Sequence, residues 1–142
     1  MSLELLHDIV FYAMGAMFIA SNYVIALKFL QLRQKPISSE LENSFVWVSD
    51  FRGGLWWLDF GATTAPLVGL LGTIIALIEA FQKLSAKGLS GANEISSAIG
   101  FALIATAVGI LLSLWNYFFY KFFNDKLSSY KETLKHQLLK EL

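Results

Sequence analysis

Thr63-Thr64-Ala65-Pro66-Leu67-Val68-Gly69-Leu70-Leu71-Gly72-Thr73 is the stretch on which the fold turns. It lies inside a run from Phe60 to Ile78 that carries no charge. A run of that length crosses a bilayer as a helix. On a helical wheel Ala62, Pro66, Gly69, Thr73, Ala76 and Ala80 form one face of small residues, while Leu67, Leu70, Leu71, Ile74, Leu77 and Ile78 fall elsewhere. Small faces let membrane helices approach closely. Pro66 has no N–H, so the carbonyl of Ala62 loses its helical partner. Membranes tolerate that loss where protein or trapped water satisfies the oxygen. Two readings of the face therefore stand. One is a tight helix seam whose threonines bond back to their own helix. The other is a helix that lines a polar path.

Working outward, the whole chain has the character of this stretch. Its 142 residues are 56% hydrophobic and only 15% charged, against about 25% charged for a soluble domain. The apolar residues are gathered in long runs, which makes a single membrane domain. There is no cysteine, hence no disulfide and no thiolate metal site. No basic patch lies outside the membrane-flanking loops, which argues against nucleic acid.

Before the central stretch, a charge-free run from Ile9 to Leu27 reads as a first transmembrane helix, over about residues 9–28. It lacks the basic n-region of a signal peptide and is longer than an h-region. Ser21 and Asn22 interrupt it and are read as interhelical or interfacial hydrogen bonders. Residues 29–54 read as a loop or short amphipathic element. Pro36 and Ser38-Ser39 break it, Leu41 to Trp47 supply at most a turn or two of surface helix, and Gly53-Gly54 mark a hinge or start point. Trp56 and Trp57 then open the second helix as headgroup-level anchors. That helix covers about residues 55–82, with Asp59 and Glu79 near its two ends. Residues 83–93 form a short connection with Gly88, Ser90 and Gly91 as breakers.

The third helix is charge-free from Ile95 to Tyr120 and spans about residues 94–122. Ala98, Ala102, Ala105, Gly109, Ser113 and Asn116 line one of its faces, with Thr106 at the border, matching the small face of the second helix. Beyond the membrane Phe123, Leu127, Tyr130, Leu134 and Leu138 recur at helical spacing among five lysines. Neither proline nor glycine occurs after Gly109, so one helix is expected from about Ile95 to near the C-terminus, roughly 70 Å long. Its last part, residues 123–142, must project into water. Two small faces and an apolar tail stripe in so short a chain point to a ring-like homo-oligomer, with the stripe from Phe123 to Leu138 packed between neighbouring tails. Lys28, Arg33, Lys35 and Arg52 in the first loop, together with the tail lysines, put that loop and the C-terminus on the cytoplasmic side. The N-terminus and second loop then face outward.

Thr64-Ala65-Pro66-Leu67-Val68-Gly69-Leu70-Leu71-Gly72-Thr73 resembles the second-helix signature of the ExbB/TolQ/MotA proton-channel family. Phe101-Ala102-Leu103-Ile104-Ala105-Thr106-Ala107-Val108-Gly109 resembles its third-helix signature. The likeness covers most of the chain from Leu55 onward, and the residues before it match in topology only. It implies an all-α inner-membrane fold of three transmembrane helices, assembled as a pentamer around two helices of a smaller partner. Protons cross the pentamer–partner interface and drive a periplasmic effector. The absence of a large cytoplasmic loop and a fourth helix favours ExbB or TolQ over MotA. The resemblance then implies an ExbD- or TolR-like partner and a TonB- or TolA-like effector in a Gram-negative inner membrane. Uptake of iron complexes or vitamin B12 is the favoured work. Thr73 and Thr106 fall at the family's pore-facing threonines and Pro66 at its proline. Thr64 is placed with them on the proton path, and Gly69, Gly72, Ala102 and Gly109 are read as packing residues. Phe101 stands where many relatives have a glutamate, and Leu27-Lys28 stand where many have glutamate–arginine.

An enzyme is not expected, nor a cofactor. His7 and His136 fall on opposite sides of the membrane, and no phosphate loop, Ser/His/Asp set or metal-ligand cluster is present. Neither Phe60 to Ile78 nor Ile95 to Tyr120 contains a titratable carboxylate, histidine or lysine, so a proton-binding group is expected from the partner chain. The rival reading is a passive scaffold that only assembles partner helices.

Overall fold

The computed structural model describes residues 3–36 and 41–142. Within them lie three long helices: α1 (Leu3–Arg33), α2 (Leu41–Lys87) and α3 (Ala92–Glu141). All three are long and apolar enough to cross a membrane. At 1.5 Å per residue, the 47 residues of α2 and 50 of α3 reach about 70 and 75 Å, more than twice a hydrocarbon core. The two run antiparallel and pack together along their lengths, and α1 lies mainly against α2. The α2–α3 turn and the start of α1 share one end of the bundle, the turn end. The C-terminus and the α1–α2 connection share the other, the tail end.

The turn is local chemistry. Gly88 adopts φ +66°, a left-handed conformation that costs glycine nothing and ends α2. A single 3-10 turn, Gly88–Gly91, follows. Lys87 in the last turn of α2 pairs with Glu94 in the first turn of α3 at 3.0 Å, each charge also suiting its helix terminus.

Two sequence expectations are corrected. The loop over residues 29–54 is mostly helix, because α1 continues to Arg33 and α2 begins at Leu41 and passes unbroken through Gly53-Gly54. Two glycines cost a helix about 1 kcal/mol each, a cost that tertiary packing overrides. Here Gly54 makes room for Lys28, since a Cβ at Gly54 would lie 2.3 Å from its Cε and 2.4 Å from its Nζ. Ser38-Ser39, named as breakers, lie outside the described residues. The second correction concerns the tail stripe. Phe123, Leu127, Tyr130 and Leu134 are already buried within one chain, against Val48, Phe51, Leu55 and Leu58 of α2. The small faces of α2 and α3 likewise bury each other, so neither feature by itself calls for a second copy.

Large apolar side chains instead cover the outside of the bundle. Tyr12, Ile19, Leu67, Leu71, Leu111 and Leu114 are exposed while Ala65, Ala102 and Ala105 are fully buried. Bulk outside and small residues inside is the pattern of helices solvated by lipid tails.

Candidate functional site

The seam between α2 and α3 is built around Gly69 and Gly109. A Cβ on Gly109 would sit 2.7 Å from the Ala65 carbonyl oxygen and 3.0 Å from the Gly69 Cα. One on Gly69 would sit 2.9 Å from the Ala105 carbonyl oxygen. The backbones touch, and only hydrogen fits between them. Gly72 faces Val10 of α1 as well as Ala105, at 3.0 and 3.3 Å from its notional Cβ, so it lies where the three helices meet. Ala102 is fully buried in the same seam.

This close approach brings polar groups together across the seam. The Thr73 and Thr106 hydroxyls are hydrogen-bonded to each other. Thr73 Oγ1 also lies 3.2 Å from the Gly69 carbonyl on its own helix and 3.1 Å from the Ala102 carbonyl on α3. Carbonyls only accept, so Thr73 is the donor wherever it bonds one, and between the two hydroxyls either oxygen can donate. The result is a connected group of Thr106, Thr73 and two backbone carbonyls. Both threonines are half-buried. Thr106 Oγ1 keeps a lone pair for a further donor.

Two turns toward the tail end, Pro66 has its expected effect and the seam answers it. The Ala62 carbonyl, which an N–H at position 66 would otherwise have bonded, accepts a hydrogen bond from the Ser113 hydroxyl of α3. Farther along, Asn116 is fully buried, donates Nδ2 to the Leu112 carbonyl at 2.8 Å and rests on Gly61. The seam therefore carries hydroxyls and an amide in its middle and no ionisable side chain there.

Thr64 lies apart from this group. Its hydroxyl donates to the Phe60 carbonyl of its own helix, as does that of Thr63. Nine residues is about two and a half turns, which sets Thr64 on the side of α2 opposite Thr73. Trp56 is exposed and stacks on Phe60 at 5.3 Å, beside Trp57.

One residue of consequence is passed over by a reading of charge and period. Lys28 is only 3% exposed. Its ammonium donates to the Phe51 carbonyl and to Gln31 Oε1, both at 2.8 Å, and sits 4.8 Å from the centre of the Phe51 ring. It fastens α1 to α2 at the tail end of the seam. The sequence signal for it is a helical glycine, Gly54, facing the end of a charge-free run.

The model of the MotA/TolQ/ExbB proton channel family matches residues 31–136. Over 74 residues the chain is 42% identical to a putative biopolymer transport protein ExbB-like 1 of Helicobacter pylori, covering 52% of this chain and 39% of that protein. It is 32% identical over 90 residues to the biopolymer transport protein ExbB of Xanthomonas campestris, covering 61% and 36%. It is 35% identical over 66 residues to that of Aquifex aeolicus, covering 46% and 45%. The chain thus spans less than half the length of each of these relatives. No solved structure matches it.

Proposed function

The chain belongs to the MotA/TolQ/ExbB proton channel family, close to ExbB, and we propose that it is the inner-membrane channel subunit of a proton-driven motor. In this reading copies of it form a ring, a pentamer by family likeness, around an ExbD- or TolR-like single-helix partner. Together they harness the proton-motive force to energise a TonB- or TolA-like protein, with uptake of iron complexes or vitamin B12 the favoured work. The N-terminus is periplasmic and the C-terminus cytoplasmic, in keeping with the basic first loop and tail.

The observation that carries this reading is the Thr106–Thr73–carbonyl chain in mid-seam. A hydroxyl pair held between backbone carbonyls orients a water or a protonated acid that reaches Thr106. It cannot store a proton itself, because threonine does not titrate near neutrality. The storing group in the membrane therefore comes from the partner, as a carboxylate on its helix. Pro66 and Ser113 keep the backbone satisfied where the helix lacks a bond.

The scaffold reading has an observation of its own. Thr73 bonds the Gly69 carbonyl of its own helix, as threonines in a dry seam do. Valine copies threonine's shape without the hydroxyl. Thr73→Val and Thr106→Val should leave assembly with the partner intact and abolish growth on a scarce iron complex that the wild type supports. Normal growth of both variants would favour the scaffold.

A further inference from the structure

At the turn end the three helices enclose a pocket of about 220 Å³, room for several water molecules. His7 of α1, Glu79 and Lys83 of α2, and Glu94 and Ser97 of α3 line it, together with Ala76 and Ala98. Resting on the reading above, we propose that this pocket is the antechamber through which protons reach the threonine pair, and that Glu79 is the group that takes them up.

Placement is the first argument. Ala76 is one helical turn from Thr73, and Ala98 is one turn from Ala102, whose carbonyl receives the Thr73 hydroxyl. Phe101 stands along the pocket wall and is 57% exposed, so it flanks the way in.

Chemistry is the second. Glu79 is the titratable side chain of α2 nearest the pair, six residues or about 9 Å of helix from Thr73, whereas Asp59 lies fourteen residues the other way. Its side chain is 20% exposed, against 46% for Lys83 and 57% for Glu94. It is thus the most enclosed of these three charged groups while still lining the pocket. It pairs with Lys83 at 2.9 Å. The charged and titratable neighbours facing it are His7 from α1, Lys83 on its own helix, and Glu94 from α3, the last held by Lys87. Water at the turn side gives Glu79 a proton and its ion pair with Lys83 loosens. The carboxylic acid passes the proton to pocket water and on toward Thr73 and Thr106, and the carboxylate and ion pair re-form. His7, packed edge-on against Phe11 at 4.8 Å, lines the same pocket from α1.

The chain has no cysteine, so single cysteines report water access directly. The assembled complex in sealed vesicles is treated with a membrane-impermeant thiol reagent added on the turn side. Ala98→Cys and Ser97→Cys should react within tenfold of the rate of exposed Ala92→Cys. Leu103→Cys, on the outward apolar face, should not react. Rates at Ala98 and Ser97 no faster than at Leu103 would overturn the antechamber whether or not the complex conducts. In the same vesicles Glu79→Gln should lower partner-dependent proton flux at least tenfold, with Glu79→Asp restoring most of it. Flux within twofold of wild type for Glu79→Gln would overturn its role alone. A wild-type complex that does not conduct would sink the functional reading and the role of Glu79 with it.

Discussion

Between Gly61 and Ala80, α2 meets α3 through glycine, alanine and hydroxyls. Between Val48 and Leu58 it meets the same helix through Phe51, Leu55 and Leu58 packed on Phe123, Leu127 and Tyr130. In the first region the spacing is set by backbone contact, with a notional Gly109 Cβ 2.7 Å from a carbonyl oxygen. In the second it is set by rings, with Phe51 and Phe123 centroids 6.0 Å apart and Trp47 5.1 Å from Tyr130. The difference is the one expected between a lipid-solvated and a water-solvated stretch. Lipid tails are as apolar as leucine, so burying a large side chain between membrane helices gains little, and close contact plus hydrogen bonds must hold them. In water each Å² of apolar surface buried is worth about 25 cal/mol, so large side chains are the better adhesive. One helix pair thus uses two means of cohesion along its length.

Phe123→Ala should have the largest effect on stability. It empties a fully buried site in the aromatic half of the helix pair and should cost about 3–5 kcal/mol in unfolding measured by steric trapping in bicelles. A cost under about 1 kcal/mol would mean that the tail does not pack on α2. Gly109→Ala comes next. The Ala65 backbone cannot yield, so α2 and α3 must separate, at about 1–3 kcal/mol by the same measurement. A neutral result would show that the membrane half is looser than its spacing. Ser113→Ala leaves the Ala62 carbonyl without its donor and should cost about 0.6–1.7 kcal/mol, the range for hydrogen bonds between membrane helices. Gly54→Ala sharpens the contrast from the other side. Its Cβ meets only the end of the flexible Lys28 side chain, and alanine favours the helix, so stability should stay within about 1 kcal/mol of wild type.

Much of this was legible in the sequence, because membrane spans and faces are local properties. The three apolar runs, the uninterrupted third helix and the small faces around Gly69 and Gly109 all follow from spacing. So does the orphan carbonyl of Ala62, although its partner Ser113 is fifty-one residues away. What periodicity cannot supply is the identity of a partner. The stripe from Phe123 to Leu134 had to be buried, and nothing in its spacing says that the first turns of α2 cover it. Gly53-Gly54 read as a hinge because propensity was weighed without Lys28, which closes that site from another helix. Thr64 and Thr73 read alike as mid-membrane hydroxyls, and only the seam separates them. The pocket that joins His7 to Glu79 and Glu94 draws on three helices and has no signature in any one of them.

The central claim is that this chain supplies an oriented, uncharged hydroxyl path and its partner the acid in the membrane. Proton flux in liposomes tests it most directly. The chain alone should conduct at background level. Adding the single-helix partner should raise the flux, and changing the carboxylate on the partner's helix to its amide should abolish the gain. Strong, proton-selective flux from this chain without any partner would contradict the account.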